Sequence, residues 1–255
     1  MDVKPKKYLG QHFLKNPAIA KRISDAVPDD AKQILEIGPG MGILTQYLLQ
    51  RFENDLKIVE IDRDSITFLK NEFEKITDQN LFEADFLKLK PEQYFKDEFH
   101  ITGNFPYNIS SQILFRMLEY RHQIPSLTGM FQKEVAMRIA SAPGSKVYGI
   151  LSVLSAAFYK TEILFHLSEN EFYPPPKVKS SVIRMIRKED YHLECDEKLF
   201  FKVVKTAFQQ RRKTLRNSLK SLTGKKELPG IFAGKRPEQL SVDDFVQLTL
   251  SFRND

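Results

Sequence analysis

Gln33-Ile34-Leu35-Glu36-Ile37-Gly38-Pro39-Gly40-Met41-Gly42 is the stretch from which the architecture is read. Its first five residues are mostly apolar and short in extent, the pattern of a buried strand. Three glycines at alternate positions follow at once, and the chain then continues as a helix to about Arg51. Glycine lets the backbone come close to a ligand, and the first turn of the following helix offers free N–H groups. The spacing is Gly-x-Gly-x-Gly, not the Gly-x-Gly-x-x-Gly of dinucleotide enzymes, and Pro39 lies inside it. A loop passing under an adenosyl group with an amino-acid tail suits this spacing better than a pyrophosphate cradle.

Downstream the same arrangement repeats. The strand Lys57–Asp62 carries Glu60 about twenty residues beyond the glycines, where an acid at a strand end can accept both ribose hydroxyls. A third strand, Asn80–Glu83, runs into Asp85, placed to accept an adenine amine. A fourth, His100–Gly103, ends at Asn104-Phe105-Pro106-Tyr107. Strands and helices alternate as far as Leu167, which predicts an α/β fold with a parallel sheet covered on both faces. The last pair, Thr161–Leu167 and Val178–Ile186, has no crossover helix between its members and is expected as antiparallel neighbours. Ligands of such sheets bind outside the carboxyl ends of the strands, and Gly38, Gly40, Glu60, Asp85 and Asn104 are all predicted there.

Asn104-Phe105-Pro106-Tyr107 suits an exocyclic amine. The Asn104 side-chain oxygen and the Phe105 carbonyl can accept its two N–H groups while Tyr107 stacks on the ring. Between the last two strands lies Glu171-Phe172-Tyr173-Pro174-Pro175-Pro176-Lys177. Its prolines stiffen the segment, and Phe172 is expected to face Tyr107 as a second aromatic wall. A base held between the two would have been extruded from its stack.

The chain has 255 residues and a net charge of +6, unevenly spread. Lys198–Arg236 contains twelve Lys or Arg against Glu227, and the first 22 residues contain six against Asp2. Basic ends flanking an acidic middle predict a polyanion gripped from two sides. Cys195 is the single cysteine, and no Cys/His cluster supports a metal site. The start is basic and polar and no apolar run approaches membrane-spanning length, so a soluble cytoplasmic protein is expected. From Glu194 the pattern becomes helical: Phe200, Val203, Val204, Ala207 and Phe208 recur at helical spacing, and Ser241 to Asp244 reads as a capping box. The expected division is a catalytic unit over 1–188, with the N-terminal arm, and a small basic helical unit over 189–255. Arg211, Arg212, Lys213 and Arg216 are candidate phosphate contacts.

The glycines, Glu60, Asp85 and Asn104, in order at strand ends, resemble the class I S-adenosylmethionine-dependent methyltransferases. Five stretches narrow this: Gly10–Leu14, Glu36–Gly40, Asn104–Ser110, Phe172–Val178 and Phe208–Leu219. Together they resemble the ribosomal RNA adenine dimethyltransferase family, and within it the branch acting on the small ribosomal subunit. The resemblance implies a mostly parallel, Rossmann-like seven-stranded sheet with one antiparallel member. It also implies N6,N6-dimethylation of two adjacent adenosines in a hairpin near the 3′ end of small-subunit rRNA, with S-adenosylmethionine as co-substrate and no metal. Donor binding then falls on His12, Leu14, Gly38, Gly40, Glu60, Asp85 and Asn104, and target recognition on Asn104, Phe105, Tyr107 and Phe172. His12 stands where the family often has Asn, and Phe105 where Leu is expected. A monomer acting on the small subunit is expected. Two alternatives stay open: a large-subunit rRNA adenine methyltransferase of the antibiotic-resistance type, and a non-catalytic assembly factor on the same scaffold.

Overall fold

The computed structural model describes residues 3–224 and 227–252. Asp2, Lys225 and Lys226, which enter the charge balance above, lie outside the described residues. The strands are β1 (Phe13–Leu14), β2 (Ile34–Ile37), β3 (Leu56–Glu60), β4 (Leu81–Glu83), β5 (His100–Asn104), β6 (Ser126–Gln132), β7 (Tyr159–Leu167), β8 (Phe172–Tyr173) and β9 (Ser180–Arg187). Interleaved with them are α1 (Pro17–Asp25), α2 (Thr45–Phe52), α3 (Arg63–Glu72), α4 (Ser110–Glu119), α5 (Lys133–Ile139) and α6 (Ile150–Phe158). After β9 come α7 (Glu197–Gln209), α8 (Leu215–Ser218), α9 (Lys220–Thr223), α10 (Gly230–Ala233) and α11 (Val242–Leu250).

Seven strands form one sheet in the order β4-β3-β2-β5-β6-β9-β7. β2 is an interior strand, parallel to β3 and β5, and its four residues are all buried. A strand covered on both faces must be apolar throughout, which Ile34, Leu35 and Ile37 satisfy and Glu36 does not. The order of strands reverses between β2 and β5, so a crevice opens where their carboxyl ends diverge. β9 runs antiparallel to β6 and lies next to β7, the expected antiparallel member and the expected neighbour. Two of the helices start on side-chain caps. The Asn16 side chain accepts the Ala18 N–H at 3.0 Å with Pro17 in the first position, and the Asp62 side chain accepts the Asp64 N–H at 3.1 Å.

One pairing was not foreseen. β1 and β8 form a separate antiparallel ribbon with Phe13 opposite Tyr173 and Leu14 opposite Phe172. The segment read only as stiff polyproline thus begins by holding the N-terminal arm.

Contacts divide the chain into two units, Met1–Ala136 with Glu162–Arg187, and Met137–Thr161 with Lys188–Asp255. The second differs from the linear division at residue 188 by taking in the segment around α6. That helix buries Leu151, Val153, Leu154, Ala157 and Phe158, more than one face of it, and such a helix needs partners on several sides. It finds them within the second unit, where the Phe158 ring stacks on Phe201 at 5.9 Å and the Lys188 N–H donates to the Phe158 carbonyl. There α7 buries Phe200, Val203, Val204 and Ala207 as their spacing requires. The capping box at α11 is reciprocal, each bond being 3.0 Å. The basic stretch after α7 is not one helix: it turns through residues 210–214 before the short α8.

Candidate active site

All three glycines of the loop after β2 have left-handed backbone, with φ of 67° at Gly38, 58° at Gly40 and 75° at Gly42. This conformation is costly for L-residues, and at Gly40 a Cβ would also sit 2.8 Å from the Phe13 ring. The loop therefore lies directly against the arm. Around it opens a cleft lined by the arm, by this loop and by the ends of β3, β4 and β5. Its walls carry three carboxylates. Glu60 is 5% exposed; its Oε1 accepts the Ile61 and Asp62 N–H groups at 2.8 Å, and its Oε2 faces the Gly40 N–H at 3.4 Å. Burial pushes the Glu60 carboxyl up against the pull of those bonds. Asp85, half-buried, uses Oδ1 to cap the Leu87 N–H at 3.0 Å. Glu36, 1% exposed, lines the same cleft with an unpartnered Oε2; burial and the Glu60 charge push it up to about 8.

The fourth wall is Asn104-Phe105-Pro106-Tyr107. The Asn104 Nδ2 donates to the His12 carbonyl at 2.8 Å, leaving Oδ1 as the acceptor end of that amide. The Phe105 ring is buried, covering Gly103 and Gly129 and meeting the Phe131 ring edge-on at 5.1 Å. A Cβ on Gly129 would lie 2.3 Å from it, so the phenyl fills space that two glycines leave. The Tyr107 hydroxyl bonds the Ser180 hydroxyl, and its ring stacks on the His12 imidazole with centroids 5.3 Å apart. His12 Nδ1 donates to the Pro174 carbonyl at 2.6 Å. One arm residue thus touches the acceptor amide, the aromatic ring and the proline segment. The arm is latched upstream as well: Lys6 Nζ lies 2.5 Å from Asp62 and 2.8 Å from Asp64, and Gln11 Nε2 donates to Asp62 at 2.9 Å. Burial works to raise the Asp62 pKa, but the bonds from Lys6 and Gln11 hold it below the usual carboxylate range.

The model of one protein family, described as ribosomal RNA adenine dimethylase, matches residues 3–253, nearly the whole chain. The chain belongs to that family. It is 58% identical over 256 residues to a ribosomal RNA small subunit methyltransferase A from Flavobacterium johnsoniae, covering 99% of this chain and 97% of the relative. A protein of the same name from Cytophaga hutchinsonii is 54% identical, with 97% and 96% covered. Among solved structures, a dimethyladenosine transferase from Plasmodium falciparum superposes with a TM-score of 0.77 at 27% identity, covering 94% of this chain and 97% of that one. The 23S rRNA methyltransferase ErmE superposes with a TM-score of 0.69 at 24% identity, covering 93% and 99%, and shows the shared fold.

Seen as a member of that family, the chain brings His12, Leu14, Gly38, Gly40, Glu60, Asp85, Asn104, Phe105 and Tyr107 to one cleft. Phe172 is not among them. It is 1% exposed and packed in the core with Leu14, while its neighbour Tyr173 is 59% exposed. The cause is strand parity, since adjacent residues of β8 point to opposite faces. Arg211 differs from its basic neighbours. It donates to the Lys146 carbonyl at 2.7 Å and lies 3.8 Å from Glu238, an internal use within its own unit. Arg212, Lys213 and Arg216 are exposed. Sequence reasoning missed Glu36, Asp62 with its two partners, and Ser180. An acid in the middle of a buried strand was the one signal that pointed to Glu36.

Proposed function

We propose that this chain transfers methyl groups from S-adenosylmethionine to N6 of two adjacent adenosines near the 3′ end of small-subunit rRNA, giving N6,N6-dimethyladenosine. The carrying observation is the His12-anchored Asn104 amide beside the Tyr107 ring, at a cleft floored by the glycine loop. The donor's chemistry fits the walls. A cation bearing ribose hydroxyls and two amines needs acceptors, and Glu36, Glu60 and Asp85 supply them where Gly40 leaves no side chain. Glu60 would take the ribose hydroxyls, Asp85 the adenine amine, and Leu14 the apolar face.

The donor supplies an electrophilic methyl on a sulfonium. The chain's own residues position the acceptor: Asn104 Oδ1 and the Phe105 carbonyl accept the two N6 hydrogens, turning the nitrogen lone pair out of the ring. Tyr107 stacks on the base and is itself braced by His12 and Ser180. As the methyl moves, the sulfur becomes neutral and the positive charge passes to N6, so orientation and exclusion of water carry the acceleration. The aminium product is acidic and needs no strong base. After the first transfer one N–H remains, so only one of the two acceptors is engaged in the second.

Small-subunit names on relatives above half identity favour this reading over the large-subunit one. Among the described residues no helix is long and apolar enough to cross a membrane, which suits a cytoplasmic enzyme, working as a monomer on the subunit. The test is isotopically labelled S-adenosylmethionine with unmethylated small and large subunits, followed by mapping of the labelled nucleotides. Dimethyladenosine at two adjacent positions of the small-subunit RNA is expected. Label confined to the large subunit overturns the reading.

A further inference from the structure

The ribbon of β1 and β8 sorts two aromatic residues to opposite sides. Residues directly opposite each other on paired strands share a face. Phe172, opposite Leu14, goes to the core; Tyr173, opposite Phe13, stays 59% exposed. Phe13 has its ring against Gly40 and lines the cleft, as Leu14 does from the next position, so the ribbon runs along the cleft's edge. The residue after Tyr173 is Pro174, whose carbonyl is held by the imidazole that stacks on Tyr107. Tyr173 therefore stands at the rim of the cleft, one residue from the group that braces its aromatic wall. Its neighbours in sequence and across the ribbon are basic. Lys177 and Lys179 follow on the same segment, and Lys15 is brought across the ribbon by its N–H bond to the Glu171 carbonyl at 2.8 Å. All three are exposed and none has an ion-pair partner among the described residues.

We propose that Tyr173 is the stacking platform for the nucleotide next to the one in the cleft, with Lys15, Lys177 and Lys179 taking the flanking phosphates. An aromatic face set among cations holds an unstacked base and its backbone without reading its edge. This rests on the rRNA reading above and deepens it, because with two neighbouring adenosines as target one stands outside the cleft while the other reacts. Stacking does not engage N6, so the platform accepts its base before and after methylation.

The test compares wild type, Tyr173→Ala and Tyr173→Phe on unmethylated small subunits, reading kcat and KM at saturating donor, donor affinity and Tm. Loss of one stacked base is expected to lower kcat/KM roughly 5- to 100-fold in Tyr173→Ala, mainly through KM, with donor affinity and Tm unchanged. Tyr173→Phe keeps the ring and is expected within about twofold of wild type. Wild-type kinetics in Tyr173→Ala overturn the platform. A loss shared equally by Tyr173→Phe, or one accompanied by weaker donor binding, overturns it too, by making Tyr173 part of the cleft's frame. A wild-type enzyme that labels no small subunit fails the rRNA reading itself, whatever the variants do.

Discussion

Asn104 is oriented by a single bond to the His12 carbonyl, and that bond decides which end of its amide meets a substrate. Asn104→Ala is expected to lower methylation by about 100-fold or more, the usual cost of losing one positioned polar partner, with binding of the RNA largely kept. Single-turnover transfer beside an RNA-binding assay checks this. Phe172 makes the opposite prediction. As a fully buried ring, Phe172→Ala should cost about 3–5 kcal/mol of stability, seen in denaturant unfolding, rather than a selective loss of catalysis. Glu36 adds a pH dependence. Its folded carboxyl titrates at about 8 against an ordinary 4.5, so between these values the folded protein holds a proton that the unfolded chain has released. Stability falls as pH rises through that window. Glu36→Gln removes the effect, and its Tm relative to wild type should rise between about pH 5 and about pH 8. These residues also mark what was legible. Glycines and acids at strand ends announce themselves because the loop conformation admits little else. The choice between Phe172 and Tyr173 was hidden, because parity is set by a partner strand far away in sequence.

At the scale of elements, hydrophobic period and caps located the strands and helices to within a few residues. The β1–β8 ribbon escaped because two residues carry no periodicity. The arm it holds is fastened at two places, at Asp62 by Lys6 and Gln11 and at Pro174 by His12. Asp62 follows closely after Glu60, whose carboxylate accepts the Asp62 N–H, so the fastening and the donor site share a backbone. Lys6→Ala is expected to weaken donor binding roughly 3- to 10-fold at low salt. The deficit should shrink in part at high salt, because the Lys6–Asp64 pair is exposed at its Asp64 end and is screened there, whereas Asp62 is buried. Calorimetric titration at two ionic strengths tests both parts, and equal affinity at low salt would leave the fastening without a role in donor binding.

Across the whole molecule, charge was legible as a total but not as a set of uses. The basic stretch after α7 reads as one run, yet Arg211 is engaged by the Lys146 carbonyl and Glu238 while Arg212, Lys213 and Arg216 face outward. Two outcomes should therefore separate. Charge reversal at Arg212, Lys213 and Arg216 should weaken RNA binding and flatten its dependence on salt, by about 0.7–0.9 in log–log slope for each phosphate that is no longer neutralised. Arg211→Ala should lower Tm and leave that slope unchanged. The division into units was only partly visible for a related reason. α6 is apolar enough to require burial, but its partners come from residues beyond 188, and nothing local in residues 137–161 names them.

The short ribbon has one more consequence. Because successive residues of the ribbon point to opposite sides, sliding the arm by one position would put Leu14 where Phe13 belongs and carry the His12 carbonyl away from Asn104. Exchanging side chains along this segment alters the site by degrees, whereas inserting or deleting a single residue between the Asp62 fastening and β1 would misalign all of it at once. Spacing, more than identity, is what drift in this arm must preserve.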